Sequence, residues 1–134
     1  MHFLSRGLIL ATLIACTSPT ASPQPLDGVW NLQSASPGNP PRTMTLTQRG
    51  STISGTGSAM GVDRVDPIAV SGTYSAATPA SPPLVALSFR AADNGQLTAQ
   101  FNGTLPVPDR IDGSVIYYGI TSVPQTGTLV FTRQ

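Results

Sequence analysis

The sequence predicts an all-β fold, an eight-stranded antiparallel up-and-down β-barrel, from three observations. Composition is the first. Among 134 residues all seven basic side chains are Arg and all six acidic ones are Asp, with no Lys and no Glu, beside 16 Thr and 14 Ser. A chain so short of good helix formers and so rich in β-branched Thr is poorly suited to helices. Periodicity is the second: from residue 26 onward apolar positions recur every second residue, and no stretch carries a three-four repeat of helical length. Turn chemistry is the third, since Gly, Pro, Asn and Asp gather between the alternating runs.

The first strand is predicted at 28–34, where Trp30 and Leu32 share a face. The second, 42–48, alternates Met44 and Leu46 with Thr and ends at a tight turn near Arg49-Gly50. A third strand at 51–57 contributes Ile53. The fourth, 66–74, presents Ile68, Val70 and Tyr74 and gives way to a Pro-rich link at 75–83. The fifth, 84–90, places Val85, Leu87 and Phe89 inward and stops before Asn94-Gly95. The sixth, 97–103, carries Leu97, Ala99 and Phe101 and ends short of Pro106. The seventh, 109–117, carries Ile111 and Val115, and the eighth, 127–133, carries Leu129 and Phe131. Adjacent Tyr117 and Tyr118 must point to opposite faces, so they form no paired platform.

A short motif recurs at Ile53-Ser54-Gly55-Thr56, Val70-Ser71-Gly72-Thr73, Phe101-Asn102-Gly103-Thr104 and Ile111-Asp112-Gly113-Ser114. Its spacing is irregular, which excludes a solenoid or propeller repeat. Gly within a strand marks a bend, and repeated bends let a sheet curl and close, removing its edges. A two-sheet sandwich is the alternative. The inward list suits either a packed interior or one with a pocket, because eight strands leave room for filling side chains or one small ligand.

Gly28-Val29-Trp30 on the first strand and Phe131-Thr132-Arg133 on the last resemble the calycin barrels: lipocalins, avidins and fatty-acid-binding proteins. That resemblance implies that Arg133 covers Trp30 at a closed end, and that the barrel holds a small apolar molecule. In size and in Gly/Thr usage the domain is nearer an avidin, although no set of biotin ligands can be placed on it.

Residues 1–15 read as a signal peptide. Arg6 precedes the apolar run Leu8 to Ala15, which is too short to span a bilayer. Leu13-Ile14-Ala15-Cys16 resembles the bacterial lipobox, which implies cleavage after Ala15 and a lipid-modified Cys16 carrying diacylglyceryl and acyl chains such as palmitate. An ordinary signal peptide with an incidental Cys is the alternative. Thr17 stands where the inner-membrane retention signal has Asp, so the resemblance implies a bacterial cell envelope protein held at the outer membrane. Residues 16–25 are Pro/Ser/Thr-rich and read as a disordered tether to the 26–134 domain.

From Cys16 onward six Arg and six Asp cancel, and the Arg residues are scattered, so no nucleic-acid partner is expected. Beyond Cys16 there is no Cys, His, Glu or Lys, which excludes His-dependent triads, Cys–His nucleophiles, Schiff-base lysines and His/Cys zinc sites. Two Asp pairs, Asp63 with Asp66 and Asp109 with Asp112, sit in or beside turns. There they read as structural, and too sparse for calcium. The expectation is therefore no enzyme, no cofactor and no metal.

In an eight-strand meander the connections near 35–41, 58–65, 91–96 and 118–126 share one end. They carry the candidate binding residues Asn39, Met60, Asp63, Arg64, Asp93 and Tyr118. Since the tether enters beside Trp30, the membrane is expected at the opposite end. A partner, either a small apolar ligand or another envelope protein, would meet the loop-rich end. Cys16→Ser is expected to abolish lipidation while leaving export intact. Mass spectrometry of the membrane-extracted protein checks this, and an unmodified Cys16 thiol in the wild type would refute it.

Overall fold

The computed structural model describes residues 24–35, 41–60, 65–119 and 122–134. It contains β1 (Gly28–Ala35), β2 (Pro41–Arg49), β3 (Thr52–Met60), β4 (Val65–Ser75), β5 (Leu84–Ala91), β6 (Leu97–Val107), β7 (Arg110–Tyr117) and β8 (Gln125–Arg133). Each strand pairs antiparallel with the next, and β8 returns to β1, so the sheet is a closed barrel and not a sandwich. Leu13, Ile14, Ala15, Cys16, Asn39, Asp63 and Arg64 lie outside the described residues, as does the side chain of Met60.

Two strands run further than turn chemistry predicts. β3 continues to Met60 because its ladder with β4 extends through Ala59 opposite Asp66 and Met60 opposite Val65. β6 continues to Val107 despite Pro106, because the β6–β7 ladder shifts register between Thr104 and Val107. A proline needs no ladder bond at such an irregularity.

Alternation puts Trp30, Met44, Leu46, Ile53, Ile68, Val70, Val85, Leu87, Phe89, Ala99, Phe101, Ile111, Val115, Leu129 and Phe131 in one buried cluster. Leu32, Tyr74 and Leu97 are only half-buried. Leu32 and Tyr74 still pack against this cluster, whereas Leu97, beside the register shift between Phe89 and Arg90, is not part of it. Leu26, Ala59, Leu105 and Tyr117 join the core from positions outside the alternating runs or at their ends. Phe101 and Phe131 meet edge to face, with ring centroids 6.3 Å apart. The recurring glycines face this interior at bends in the wall. A Cβ at Gly72 would lie 1.9 Å from the Ala86 carbonyl oxygen, and one at Gly113 2.2 Å from that of Asn102, so neither strand has room for a side chain there.

One end is sealed by the residues that precede β1. Asp27 N–H donates to the Gln24 carbonyl, closing a turn that drives Leu26 fully into the core. Buried Gln48 accepts from Leu26 N–H at 3.1 Å and donates from Nε2 to the Gly50 carbonyl at 2.8 Å. Trp30 Nε1 donates to the Leu26 carbonyl at 3.0 Å. Arg133 stands opposite Trp30 in the β1–β8 ladder, its guanidinium carbon 4.7 Å from the indole centroid. Its Nη1 donates to the Asp27 carbonyl at 2.5 Å, and its Nη2 donates to the carbonyls of Pro25 and Pro108. Asp109 Oδ1 lies 3.2 Å from Arg133 Nε, near enough to attract the charge but off the line of a hydrogen bond.

Trp30→Ala should destabilise the barrel by about 3–5 kcal/mol through the lost buried ring. Arg133→Ala should cost less, since exposed cation–π contacts are worth roughly 0.5–1 kcal/mol and desolvated ones about 2. Denaturant unfolding of both single variants and the double variant should show coupling between the two sites, and additive losses would show that the contact contributes no energy.

Candidate functional site

At the end opposite Trp30, the last residues of β3, β5 and β7 converge with the first residues of β4 and β6. They enclose a cavity of about 500 Å³, within the range of small-molecule sites. The packed-or-hollow alternative resolves by position: side chains fill the barrel from the sealed end, and the space lies at the loop-rich end.

Ala59 of β3, Ile68 of β4 and Ala91 of β5 supply small or apolar lining from the inward rows. Asp66, Asp93 and Asn94 bring polar atoms to the lining. Asp66 is itself engaged in an interaction. The loop that carries Asp93 and Asn94 is held firmly. Gly95 adopts φ +70°, which a glycine tolerates, and its N–H donates to the Ala91 carbonyl at 2.9 Å. Asn94 Oδ1 accepts from Gln96 N–H at 2.8 Å, and Arg90 Nη1 donates to the Gly95 carbonyl at 3.1 Å. Ala92 N–H then ties the loop to β4 through the Pro67 carbonyl at 3.1 Å. Side chains on so constrained a loop have little conformational entropy left to lose.

The adjacent tyrosines diverge as a strand requires. Tyr118 half faces out, its hydroxyl donating to Gln100 Oε1 at 2.7 Å. Tyr117 turns inward, 2% exposed, and lines the cavity. Its hydroxyl is sealed from water and has no hydrogen-bond partner among the described residues. Burial pushes the phenol up to about 12 from its ordinary 10.0, because the charged form would sit in apolar surroundings. Thr98 Oγ1, also in the lining, donates to the Phe89 carbonyl at 3.0 Å and so has a partner.

Of the residues singled out in the sequence, Asp66, Asp93 and Tyr118 come together at this cavity, while Trp30 and Arg133 lie at the far end. Tyr117, Thr98, Ala59, Ile68 and Ala91 were not among the candidates. Tyr117 had a readable signal, since continuing the alternation past Val115 turns its ring inward. Ala59 and Ala91 had none, because a small residue contributes here by the volume it leaves unfilled. The Asp109 and Asp112 pair is divided between partners: Asp109 lies by Arg133, while Asp112 Oδ2 accepts from Arg110 Nε at 3.1 Å and lies 3.0 Å from its Nη2. Among the described residues no three metal-ligating side chains cluster, and no helix is long and apolar enough to cross a membrane. No known protein family, curated protein or solved structure matches the chain.

Tyr117 should leave an alkaline signature on stability. The unfolded phenol loses its proton near pH 10, whereas the folded one keeps it to about 12. The folded state therefore binds more protons over that interval, and its stability should fall as pH rises through it. Chemical unfolding followed across this range should show a shallower decline for Tyr117→Phe than for the wild type. Identical declines would show that another group carries the alkaline transition.

Proposed function

We propose that the chain is an envelope lipoprotein, held at the outer membrane by lipid on Cys16, whose calycin-like barrel binds a small apolar molecule and catalyses no reaction. The observation that carries this reading is the cavity of about 500 Å³ at the loop-rich end. Its size suits a small ligand, its inward lining is largely apolar, and the loop bearing Asp93 is pinned in place by backbone bonds. The Gln24–Asp27 turn docks at the opposite end, so a tether leading into it keeps the cavity turned away from the lipid surface. The proposal includes no catalysis because the barrel holds few of the usual catalytic side chains. The chain's one His and one Cys are His2 and Cys16, both ahead of the barrel, and the Asp109–Asp112 pair is matched to arginines.

A second reading, in which the same end grips another envelope protein, draws on Val65 and Val123, which are 61% and 67% exposed there. Filling the cavity separates the two. The barrel should take up a neutral apolar fluorophore such as N-phenyl-1-naphthylamine with saturable enhancement, and Ala91→Phe should weaken that uptake by about tenfold or more, equivalent to about 1.4 kcal/mol. Ala91 is half-buried, so the added ring should cost no more than the roughly 1–3 kcal/mol of an overpacked site, and a thermal melt checks that the fold persists. Uptake unchanged by Ala91→Phe, or none in the wild type, would reject the ligand reading. Chemical crosslinking to an envelope protein that Val65→Asp abolishes would then favour the second.

A further inference from the structure

We infer that the sealed end of the barrel rests on a lipid bilayer, with Leu84, Val107 and the Ala/Pro-rich link between β4 and β5 seated in its interface. This rests on the reading of Cys16 as a lipid anchor and adds the surface through which the folded domain itself meets the membrane.

Strand parity places the β4–β5 link and the β6–β7 turn at the end that Arg133 seals. The Leu105 N–H donates to the Pro83 carbonyl at 3.1 Å, which joins the link to β6. Leu84 and Val107 are 48% and 53% exposed there, and Ala76, Ala77, Pro79 and Pro82 of the link are exposed as well. Neither residues 75–84 nor residues 104–108 include a charged side chain. Asp109 and Arg110, which border them, are matched by Arg133 and Asp112.

The link can also leave water at little cost. Pro79, Pro82 and Pro83 have no N–H, and the N–H groups of Thr78, Ala80 and Ser81 all donate within the link. Backbone groups already bonded internally lose little when lipid replaces water, whereas open ones lose a partner.

Chain connectivity selects lipid as the occupant. Arg133 Nη2 donates to the carbonyls of both Pro25 and Pro108, so the chain from Cys16 joins the barrel beside the turn that follows Val107. From Cys16 to Gln24 the chain can extend at most about 30 Å, so lipid on Cys16 would hold this end at the bilayer surface. Two aliphatic side chains bind a bilayer weakly alone, but an anchor makes the contact intramolecular and raises its effective concentration. Val65 and Val123 are exposed at the opposite end, but Asp66, Arg90 and Asp93 accompany them, and charges resist transfer from water to lipid.

Quenching by brominated lipid tests this. Trp30, the chain's one Trp, is fully buried, so Leu84→Trp, Val107→Trp and Val65→Trp each add one surface reporter to a constant background. The full chain, made cell-free so that Cys16 keeps its thiol, is coupled through that thiol to maleimide-headed lipid in dibrominated phosphatidylcholine vesicles. Emission added at 84 and 107 should be quenched and shifted to the blue, while that added at 65 should keep its intensity. Leu84→Asp placed in the Val107→Trp protein should restore the lost emission, with a thermal melt to check the fold. Added salt should leave the quenching unchanged, because the patch has no charge to screen. Reporters at 84 and 107 no more quenched than the one at 65, or quenching that salt removes, would overturn the inference. Blue-shifted emission at 84 and 107 before vesicles are added would also overturn it, assigning the patch to a second copy of the chain. Quenching at 84 and 107 beside an unmodified Cys16 in the cell-made protein would reject the anchor and uphold the docking surface.

Discussion

Closure of the barrel depends on one arginine. The β1–β8 ladder sets Arg133 opposite Trp30, and from there its guanidinium faces the indole and donates to the backbone carbonyls of Pro25, Asp27 and Pro108. A fork of five N–H groups with fixed geometry can meet several carbonyls together. No other residue type does this while also covering an aromatic face. Leu26 is buried because the same contacts hold Pro25 and Asp27 over the opening, and Gln48 completes the seal from β2. Asp27 takes part through its carboxylate, which accepts from Gln48 N–H at 2.7 Å and Gln24 N–H at 2.9 Å. Those two bonds hold its carboxyl below the ordinary range.

With that end fixed, the rest of the interior follows from side-chain size. The wall of an eight-stranded barrel has a set circumference, so each inward layer must be filled to a similar volume. Near the seal the layers hold Trp30, Leu26 and Phe131, large enough to meet across the axis. Towards the other end the inward rows run to Ala59, Ala91 and Ala99, with Phe89 and Tyr117 on either side of Ala99. Ala59 and Ala91, both in the cavity lining, leave unfilled the volume that leucines would occupy. The gradient makes the two ends unequal: one is a rigid plug, and the other has room for a guest.

The strands were legible because each buries one face, and that forces alternation. Parity in a meander also brought Trp30 and Arg133 to the same end, which calycin resemblance likewise implies. What alternation could not show were its own interruptions. The register shifts near Leu32 and Phe89 are backbone events with no residue signature; Leu97, beside the second, is absent from the core cluster, while Leu32 packs against it only partly buried. Leu26 was missed because it precedes any strand and is buried by contacts more than a hundred positions away in sequence. At the candidate site Asp93 and Tyr118 could be read from loop position. Alternation past Val115 turned Tyr117 inward, but nothing in the sequence marks the space beside it. The reading of Cys16 concerns residues outside the described part of the chain.

The seal also dictates the order in which this protein folds. Arg133 and Asp27 are 106 positions apart, and the β1–β8 ladder beside them closes the sheet. Local hairpins such as β2–β3 can form as soon as both strands exist, whereas β1 has lost its second neighbour until β8 is made. The long-range pairing then incurs a loop-closure cost that local contacts do not. A nascent or partly threaded chain is therefore an open sheet with two unpaired edges, β1 and whichever strand came last. Such edges are the surfaces on which chains pair with one another. The interval between the appearance of β1 and that of β8 is when this barrel is most exposed to misassembly, and the completed Arg133 contact ends it.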